Sequence, residues 1–235
     1  EQDGLVWFVM TYVAGETLAA RVRREGPLPP REVSRMVQAV AWALGYAHQL
    51  GVIHRDVKPE NVLIERGSGR YLVVDFGIAR IADQGGLSPA VELLGTPRMV
   101  SPEQAGGSGL DGRSDLYSLG VTAFFALTGR YPFEGDNVGQ LLAQHLTMPA
   151  PPVASLRPDA PARLAVAIDR CLSKSPDDIE RHHHANRPAR SASTSRYRPD
   201  ETRSATAASA DAEAHARTCS ADWSSAARKA AARAT

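Results

Sequence analysis

The sequence of 235 residues has little cysteine, no long apolar run and almost no net charge. Its two cysteines, Cys171 and Cys219, lie far apart without metal-type spacing, which indicates free thiols in a reducing compartment. No apolar run approaches the ~20 residues that a membrane-spanning helix needs. The formal net charge is +1, so electrostatics give no reason to expect nucleic acid as the main partner. We therefore predict a cytoplasmic location.

The two ends of the sequence also lack familiar features. The start, Glu1-Gln2-Asp3-Gly4, is neither an initiator methionine nor a signal peptide, so we expect a chain that is entered in mid-domain. From Glu180 to Thr235 there is no Leu, Val, Ile, Phe or Met. Such a segment cannot offset an ordering entropy of roughly 1–2 kcal/mol per residue. We therefore predict a folded domain over 1–178 and a disordered tail over 179–235.

The folded part carries clear secondary-structure signals. A β-rich run at Leu5–Val9 predicts a strand, and the many Gly, Ser and Pro residues over 77–110 predict a long loop. Apolar positions three and four apart predict a helix over Arg31–Leu50. The run Leu116–Leu127 is continuously apolar apart from small residues and predicts a fully buried central helix. Further helices are expected around Thr17–Arg24, Asn137–Leu146 and Ala162–Leu172. Further β-rich runs are 52–53, 62–64 and 71–74, of which the last two are expected to form a hairpin around the turn 66–69.

The strongest chemical signal is the run His54-Arg55-Asp56-Val57-Lys58-Pro59-Glu60-Asn61, followed by Asp75-Phe76-Gly77. Together these runs resemble the catalytic loop and the magnesium-binding loop of protein kinases, and the resemblance covers about residues 5–178. It implies that Asp56 orients the substrate hydroxyl and that Lys58 reaches the transferred phosphate. It also implies that Asn61 and Asp75 are metal ligands, because Mg²⁺ prefers oxygen donors.

Further blocks match the family in the same order. Met10-Thr11-Tyr12-Val13 resembles the hinge that reads adenine, although an ordinary edge strand is an alternative, and Leu63 is the candidate floor of the adenine site. Gly95-Thr96-Pro97 and Ser101-Pro102-Glu103 resemble the end of the activation segment. Asp115-Leu116-Tyr117-Ser118-Leu119-Gly120 resembles the start of the central helix, where the family's Asp accepts hydrogen bonds from the catalytic-loop backbone.

The resemblance implies a fold and an activity. The fold class is α+β: a mainly helical C-lobe of the protein kinase fold with short β-hairpins at the catalytic cleft, and with the N-lobe absent. Residues 1–178 would be the hinge and C-lobe of a truncated kinase domain of the bacterial Hanks type. Lys58 favours serine/threonine over tyrosine specificity. The expected cofactors are ATP and Mg²⁺, and the expected partners are protein substrates with Ser/Thr acceptors.

Two other functions stay open at this point. Small-molecule phosphotransferases share an Asp…Asn…Asp constellation, but they lack the Ser-Pro-Glu block and the central-helix block. A kinase-like lobe could also act as a non-catalytic binding module, because the glycine-rich loop and the strand lysine of the family precede the hinge and are not in this sequence. We expect the fragment to be inactive alone.

The sequence departs from the family pattern after Asp178. The family places an arginine next, which pairs with Glu103, but Ile179 stands here and Arg181 comes two places late. Glu103 is therefore expected to be a buried carboxylate without a partner. A shift of reading frame would explain the composition of the tail, and a genuine disordered tail is the alternative. His182-His183-His184 in this tail could bind metal, although a solvated polar tract is the simpler interpretation.

Overall fold

Helices make up most of the fold. The computed structural model describes residues 12–76, 97–107 and 109–180. Its helices are α1 (Leu18–Glu25), α2 (Pro30–Gln49), α3 (Pro102–Gly106), α4 (Gly112–Thr128), α5 (Val138–Thr147), α6 (Val153–Leu156), α7 (Ala162–Cys171) and α8 (Pro176–Glu180). Its strands are β1 (Gly15–Thr17), β2 (Val62–Glu65) and β3 (Tyr71–Val73), and short 3₁₀ turns occupy Pro59–Asn61 and Pro97–Met99. The predicted strand Leu5–Val9 and the tail from residue 181 onward lie outside the described residues.

The three strands form one antiparallel sheet in the order β1-β2-β3. The predicted hairpin is present, with Leu63 of β2 opposite Leu72 of β3. Strand β1 was not predicted, because it has only three residues and no apolar alternation. Gly15 is required there, since a Cβ at this position would lie 2.1 Å from the carbonyl oxygen of Ile64. Thr17 ends the strand and caps α1 by accepting a hydrogen bond from the Ala20 N–H.

Helix α2 follows the predicted periodicity. Its buried positions are Val33, Met36, Val40, Leu44 and Ala47, which share one face at three- and four-residue spacing. The helix ends just before Gly51, whose φ of 74° lies in the left-handed region that glycine tolerates. This apolar face packs against α4.

Helix α4 lies at the centre of the fold and is buried along nearly its whole length, as the continuous apolar run predicts. It packs against α2 on one side and α7 on the other. A Cβ at Gly120 would lie 2.6 Å from Cβ of Cys171, so glycine permits the close approach of α4 and α7. Burial raises the pKa of the Cys171 thiol to about 11, which makes it an unreactive free thiol.

Two predictions about local structure need correction. Residues 52–53 form no strand, because the Val52 N–H returns to the Ala47 carbonyl at the end of α2 instead of pairing with a strand. The described part of the predicted loop 77–110 contains the 3₁₀ turn Pro97–Met99 and helix α3. Helix α3 begins with a capping box between Ser101 and Gln104. The prediction of a loop rested on the Gly, Ser and Pro content of the segment and missed this capping pattern. Within the described ranges, no helix is long and apolar enough to cross a membrane.

A polar cluster joins α5 to α4. His145 of α5 and Tyr117 of α4 are both fully buried, and the Tyr117 hydroxyl lies 2.9 Å from Nδ1 of His145. Burial first, and then the nearby charge of Lys174, lower the pKa of His145 to about 4, whereas the Arg98 backbone acts in the opposite direction. His145 is therefore neutral at physiological pH.

We expect His145 to make stability depend on pH. A histidine in the unfolded chain takes up a proton near pH 6.5, whereas folded His145 does so only near pH 4. The unfolded state therefore binds more protons between these values, and the free energy of unfolding falls as the pH is lowered from about 6.5 to about 4, by at most about 3 kcal/mol. Urea titrations across this range would measure the loss. His145→Phe is the control, because it keeps every other titrating group; an equal pH slope in both proteins would contradict the prediction.

Candidate active site

Asp56 lies on the loop between α2 and β2, at the centre of a small hydrogen-bonded group. Its Oδ2 accepts a hydrogen bond from Lys58 Nζ at 2.7 Å and another from Asn61 Nδ2 at 3.0 Å. The same Asn61 Nδ2 also donates to the Asp56 main-chain carbonyl at 2.9 Å. The carboxylate is 38% exposed, so it remains open to a ligand. The predicted loop residues Asp56, Lys58 and Asn61 are thus brought together.

Asn61 and Asp75 are held close to one another by main-chain contacts. The Val74 N–H, one residue before Asp75, donates to the Asn61 carbonyl at 3.0 Å. The side-chain amide of Asn61 is buried and donates through Nδ2 to Asp56, which leaves Oδ1 as an oxygen donor for a cation. Asp75 is exposed and has a φ of 59°, a strained conformation for a residue with a Cβ. The chemistry of these two oxygen donors suits Mg²⁺.

His54 is a structural residue of this site. Its ring is fully buried, Nδ1 accepts a hydrogen bond from the Asp56 N–H at 3.3 Å, and Nε2 donates to the Val74 carbonyl at 3.1 Å. The ring also contacts Phe76, with centroids 4.5 Å apart. Both ring nitrogens therefore form hydrogen bonds, one within the Asp56 loop and one to the residue before Asp75, so His54 packs and connects these segments.

The buried side chain of Asp115 holds the backbone of the loop that carries Asp56. Only 1% of this residue is exposed, and its two carboxylate oxygens accept hydrogen bonds from the His54 N–H at 2.8 Å and the Arg55 N–H at 2.7 Å. The resemblance predicted these bonds, and the structure contains them. A third contact was not predicted: Nε2 of His48, at the end of α2, lies 2.7 Å from Asp115 Oδ2.

Arg55 adopts a left-handed backbone conformation with a φ of 65°. Such a conformation costs about 1–3 kcal/mol in a residue that is not glycine and persists only where the surroundings enforce it. Here the Arg55 N–H is bound by Asp115, and its carbonyl accepts a hydrogen bond from Gln104 Nε2 at 3.3 Å. Sequence reasoning missed both His48 and Gln104, since single polar residues on helices carry no local signal of a distant partner.

The residues predicted to bind adenine lie partly outside the described ranges. Met10 and Thr11 of the predicted hinge lie outside the described residues. Tyr12 is 88% exposed, and Val13 is half-buried. Leu63 is half-buried in β2, between Thr17 and Leu72 of the neighbouring strands. The roles of these residues in binding adenine stay predictions.

The expectation of a buried Glu103 without a partner is wrong. The residue is half-buried, and its Oε1 accepts a hydrogen bond from the Ser114 hydroxyl at 2.6 Å. Ser114 lies in the first turn of α4 and is itself buried. A neutral hydroxyl therefore donates to Glu103, where the family pattern implies an arginine. Arg181 lies outside the described residues.

We expect His48→Ala to weaken the support of the loop without removing it. The substitution deletes one of three donors to Asp115 and leaves a space beside Gly112, where a Cβ would lie 2.5 Å from the histidine ring. Loss of one hydrogen bond to a buried charge should lower the free energy of unfolding by about 1.5–3 kcal/mol. Chemical denaturation would measure it. If the free energy of unfolding fell by less than about 0.5 kcal/mol, the His48–Asp115 hydrogen bond would not stabilise the fold.

A mainly helical lobe that holds Asp56, Lys58 and Asn61 beside Asp75 defines the class of protein: a lobe of the protein-kinase type. The family model for the protein kinase domain matches residues 1–178, so the chain belongs to the protein kinase family. It is 45% identical over 188 residues to the serine/threonine-protein kinase pkn3 of Myxococcus xanthus, covering 75% of this chain and 34% of that protein.

Two further comparisons agree on the family. The serine/threonine-protein kinase PknB of Mycobacterium tuberculosis is 39% identical over 176 residues, which cover 74% of this chain and 28% of PknB. The crystal structure of the Mycobacterium tuberculosis PknI kinase domain superimposes with a TM-score of 0.53 at 35% identity, covering 71% of this chain and 58% of that domain. The chain therefore spans about a third or less of the length of these two full-length relatives.

Proposed function

We propose that the chain carries the catalytic lobe of an enzyme that transfers the γ-phosphate of ATP to Ser/Thr hydroxyls of proteins. The observation that carries this proposal is the hydrogen-bonded group of Asp56, Lys58 and Asn61, tied through Val74 to Asp75. Phosphoryl transfer depends on positioning and charge stabilisation, which such a group supplies. The relatives' names, serine/threonine-protein kinase, support the same activity and the same acceptor class.

Each residue of the group has a proposed role. Asp56 Oδ1 has no other donor among the described residues, so it can accept the proton of a substrate hydroxyl and hold that hydroxyl in line. Lys58 lies against Asp56 and can place its positive charge on the transferred phosphate. Asn61 Oδ1 and the Asp75 carboxylate would hold Mg²⁺, which when bound neutralises phosphate charge. Tyr12, Val13 and Leu63, with Met10 and Thr11, would bind adenine.

The isolated chain is proposed to be a poor enzyme. The family's glycine-rich loop and phosphate-binding lysine are preorganised donors, and loss of one such donor costs about 10²–10³ in rate. The alternative function is a non-catalytic, kinase-like lobe that binds other proteins. The strained Asp75 and the left-handed Arg55 argue against this alternative, because such conformations cluster where chemistry requires them. The division into 1–178 and 179–235 and the cytoplasmic location stay predictions.

A chimera would test the proposal directly. The segment of pkn3 that precedes its hinge would be joined to Met10 of this chain, so that the predicted hinge is kept. Transfer of radiolabelled phosphate from ATP to a Ser/Thr protein would then be measured with Mg²⁺. We expect the chimera to reach the range of ordinary kinases, on the order of 1 s⁻¹, and the unmodified chain to stay near background. A folded chimera that binds ATP but transfers no phosphate would refute the proposed enzyme and favour the binding module.

A further inference from the structure

An exposed arginine, Arg98, lies against the ring of Tyr131, a half-buried residue between α4 and α5. The guanidinium carbon of Arg98 is 5.2 Å from the centroid of that ring, within the range of a cation–π contact. The ring in turn stacks on Phe125 of α4, with the two centroids 4.7 Å apart. Tyr131 thereby connects an exposed cation to the central helix of the fold.

Two more charged residues, Glu60 and Arg23, relate Tyr131 to the proposed active site. Glu60 belongs to the same loop as Asp56, four positions further on, and its Oε1 accepts a hydrogen bond from Arg23 Nη2 of α1 at 3.1 Å. Burial raises the pKa of the Tyr131 hydroxyl, and the charge of Glu60 raises it further. The charges of Arg98 and Arg23 lower it. All three charged side chains therefore lie close enough to Tyr131 to act on it.

The segment that carries Arg98 is fixed both to α4 and to the Asp56 loop. The carbonyl of Met99, the next residue, accepts a hydrogen bond from the Ser118 hydroxyl of α4 at 2.8 Å. Six positions after Arg98, Nε2 of Gln104 donates to the carbonyl of the residue before Asp56 at 3.3 Å. A substrate with its hydroxyl at Asp56 continues on both sides of that hydroxyl, and four extended residues span about 13 Å. Its neighbouring side chains can therefore reach charges around this loop.

The charges around Tyr131 favour an acidic side chain of the substrate over a basic one. Two arginines and one glutamate leave a net charge of +1. Glu60 is already paired with Arg23, and its second oxygen, Oε2, is buried. Arg98 forms no ion pair with any residue that the structure describes, and an aromatic ring offers no oxygen acceptor to its N–H groups. Those donors stay available for a carboxylate, which a guanidinium binds in a bidentate manner.

We propose that Arg98 is a specificity-determining residue, which selects protein substrates that carry an Asp or Glu within about four residues of the acceptor Ser/Thr. The guanidinium of Arg98 binds the carboxylate of the substrate, and the Tyr131 ring holds the guanidinium in place. The ion pair with Arg23 offsets the charge of Glu60, which would otherwise repel that carboxylate. The inference rests on the proposed function, because it takes the acceptor hydroxyl to be bound at Asp56.

The first experiment measures kcat/KM of the chimera for peptides that contain one serine and a single Glu or Lys at each of four positions on either side. At one or two positions we expect the Glu peptide to exceed the Lys peptide by about tenfold, since one is attracted and the other repelled. Arg98→Gln should bring this ratio to about one, and Arg98→Glu should reverse it. Arg163→Gln, an exposed arginine of α7, is the control and should keep the tenfold ratio. Phosphate transfer with equal kcat/KM for both peptides at every position would overturn this inference and leave the proposed function standing.

The second experiment measures binding without phosphate transfer, so it decides the inference even if the chimera is inactive. The same peptides, with alanine in place of the serine and a fluorescent label, are titrated with the natural chain, and fluorescence anisotropy gives the dissociation constants. We expect the best Glu peptide to bind about tenfold more tightly than the matching Lys peptide. Added salt should reduce this difference, because it screens exposed charges, and Arg98→Gln should abolish it. Equal dissociation constants for the two peptides, or no binding of either, would show that Arg98 selects no acidic substrate.

Discussion

Asp56→Asn is expected to lower the phosphate-transfer rate of the chimera by about 10²–10⁴-fold, the usual contribution of a general base. Asparagine keeps the shape of the side chain and can still accept a hydrogen bond from Lys58, so the loop should fold as before. It cannot take up the proton of the substrate hydroxyl. The rate at saturating ATP and substrate would therefore fall, whereas the KM for ATP should change little, since no ATP contact is removed.

The control for this variant is Asp136→Asn, which makes the same chemical change on an exposed loop. It should transfer phosphate at the rate of the unsubstituted chimera. Far-ultraviolet circular dichroism of both variants would confirm that each is folded. If Asp56→Asn kept a rate within about twofold of the unsubstituted chimera, Asp56 would not be the base and the proposed role of the loop would be wrong.

Asp115→Asn is expected to produce the largest loss of stability, about 3–5 kcal/mol. The buried carboxylate accepts hydrogen bonds from two main-chain N–H groups and contacts His48. An amide offers one acceptor oxygen and turns an NH₂ group towards the remaining donors. At least one buried donor would then lack a partner, and the left-handed Arg55 would lose part of its support.

Chemical denaturation of the full chain would measure this loss, with Asp111→Asn as the matched control. Asp111 is the N-cap of the same helix, accepts the Arg113 N–H and is 49% exposed, and asparagine caps helices as well as aspartate does. Asparagine would lose the partly exposed ion pair with the Arg113 guanidinium at 2.7 Å, so the free energy of unfolding should fall by at most about 1 kcal/mol. A similarly small effect of Asp115→Asn would mean that the loop is held without this carboxylate.

The sequence determined most of the helices and the proximity of the three predicted loop residues. Helices α2, α5 and α7 have apolar residues at regular spacing, which follows from the geometry of the helix itself, and α4 has an almost continuous apolar run. Asp56, Lys58 and Asn61 lie within six residues of one another, so their proximity is largely a local property of the chain. Short elements such as β1 and α3 were missed, because they are stabilised by a few contacts that have no periodic pattern.

Only the tertiary structure decided which distant residues meet. His48 contacts Asp115, 67 positions further along the chain, and Glu103 finds its donor in Ser114 instead of an arginine. Nζ of Lys174 reaches the Tyr117 hydroxyl, 57 positions away, and burial lowers the pKa of Lys174 to about 8. Such contacts depend on the packing of whole helices, and desolvation depends on every neighbour at once. A pattern of residues along one chain specifies neither of these quantities.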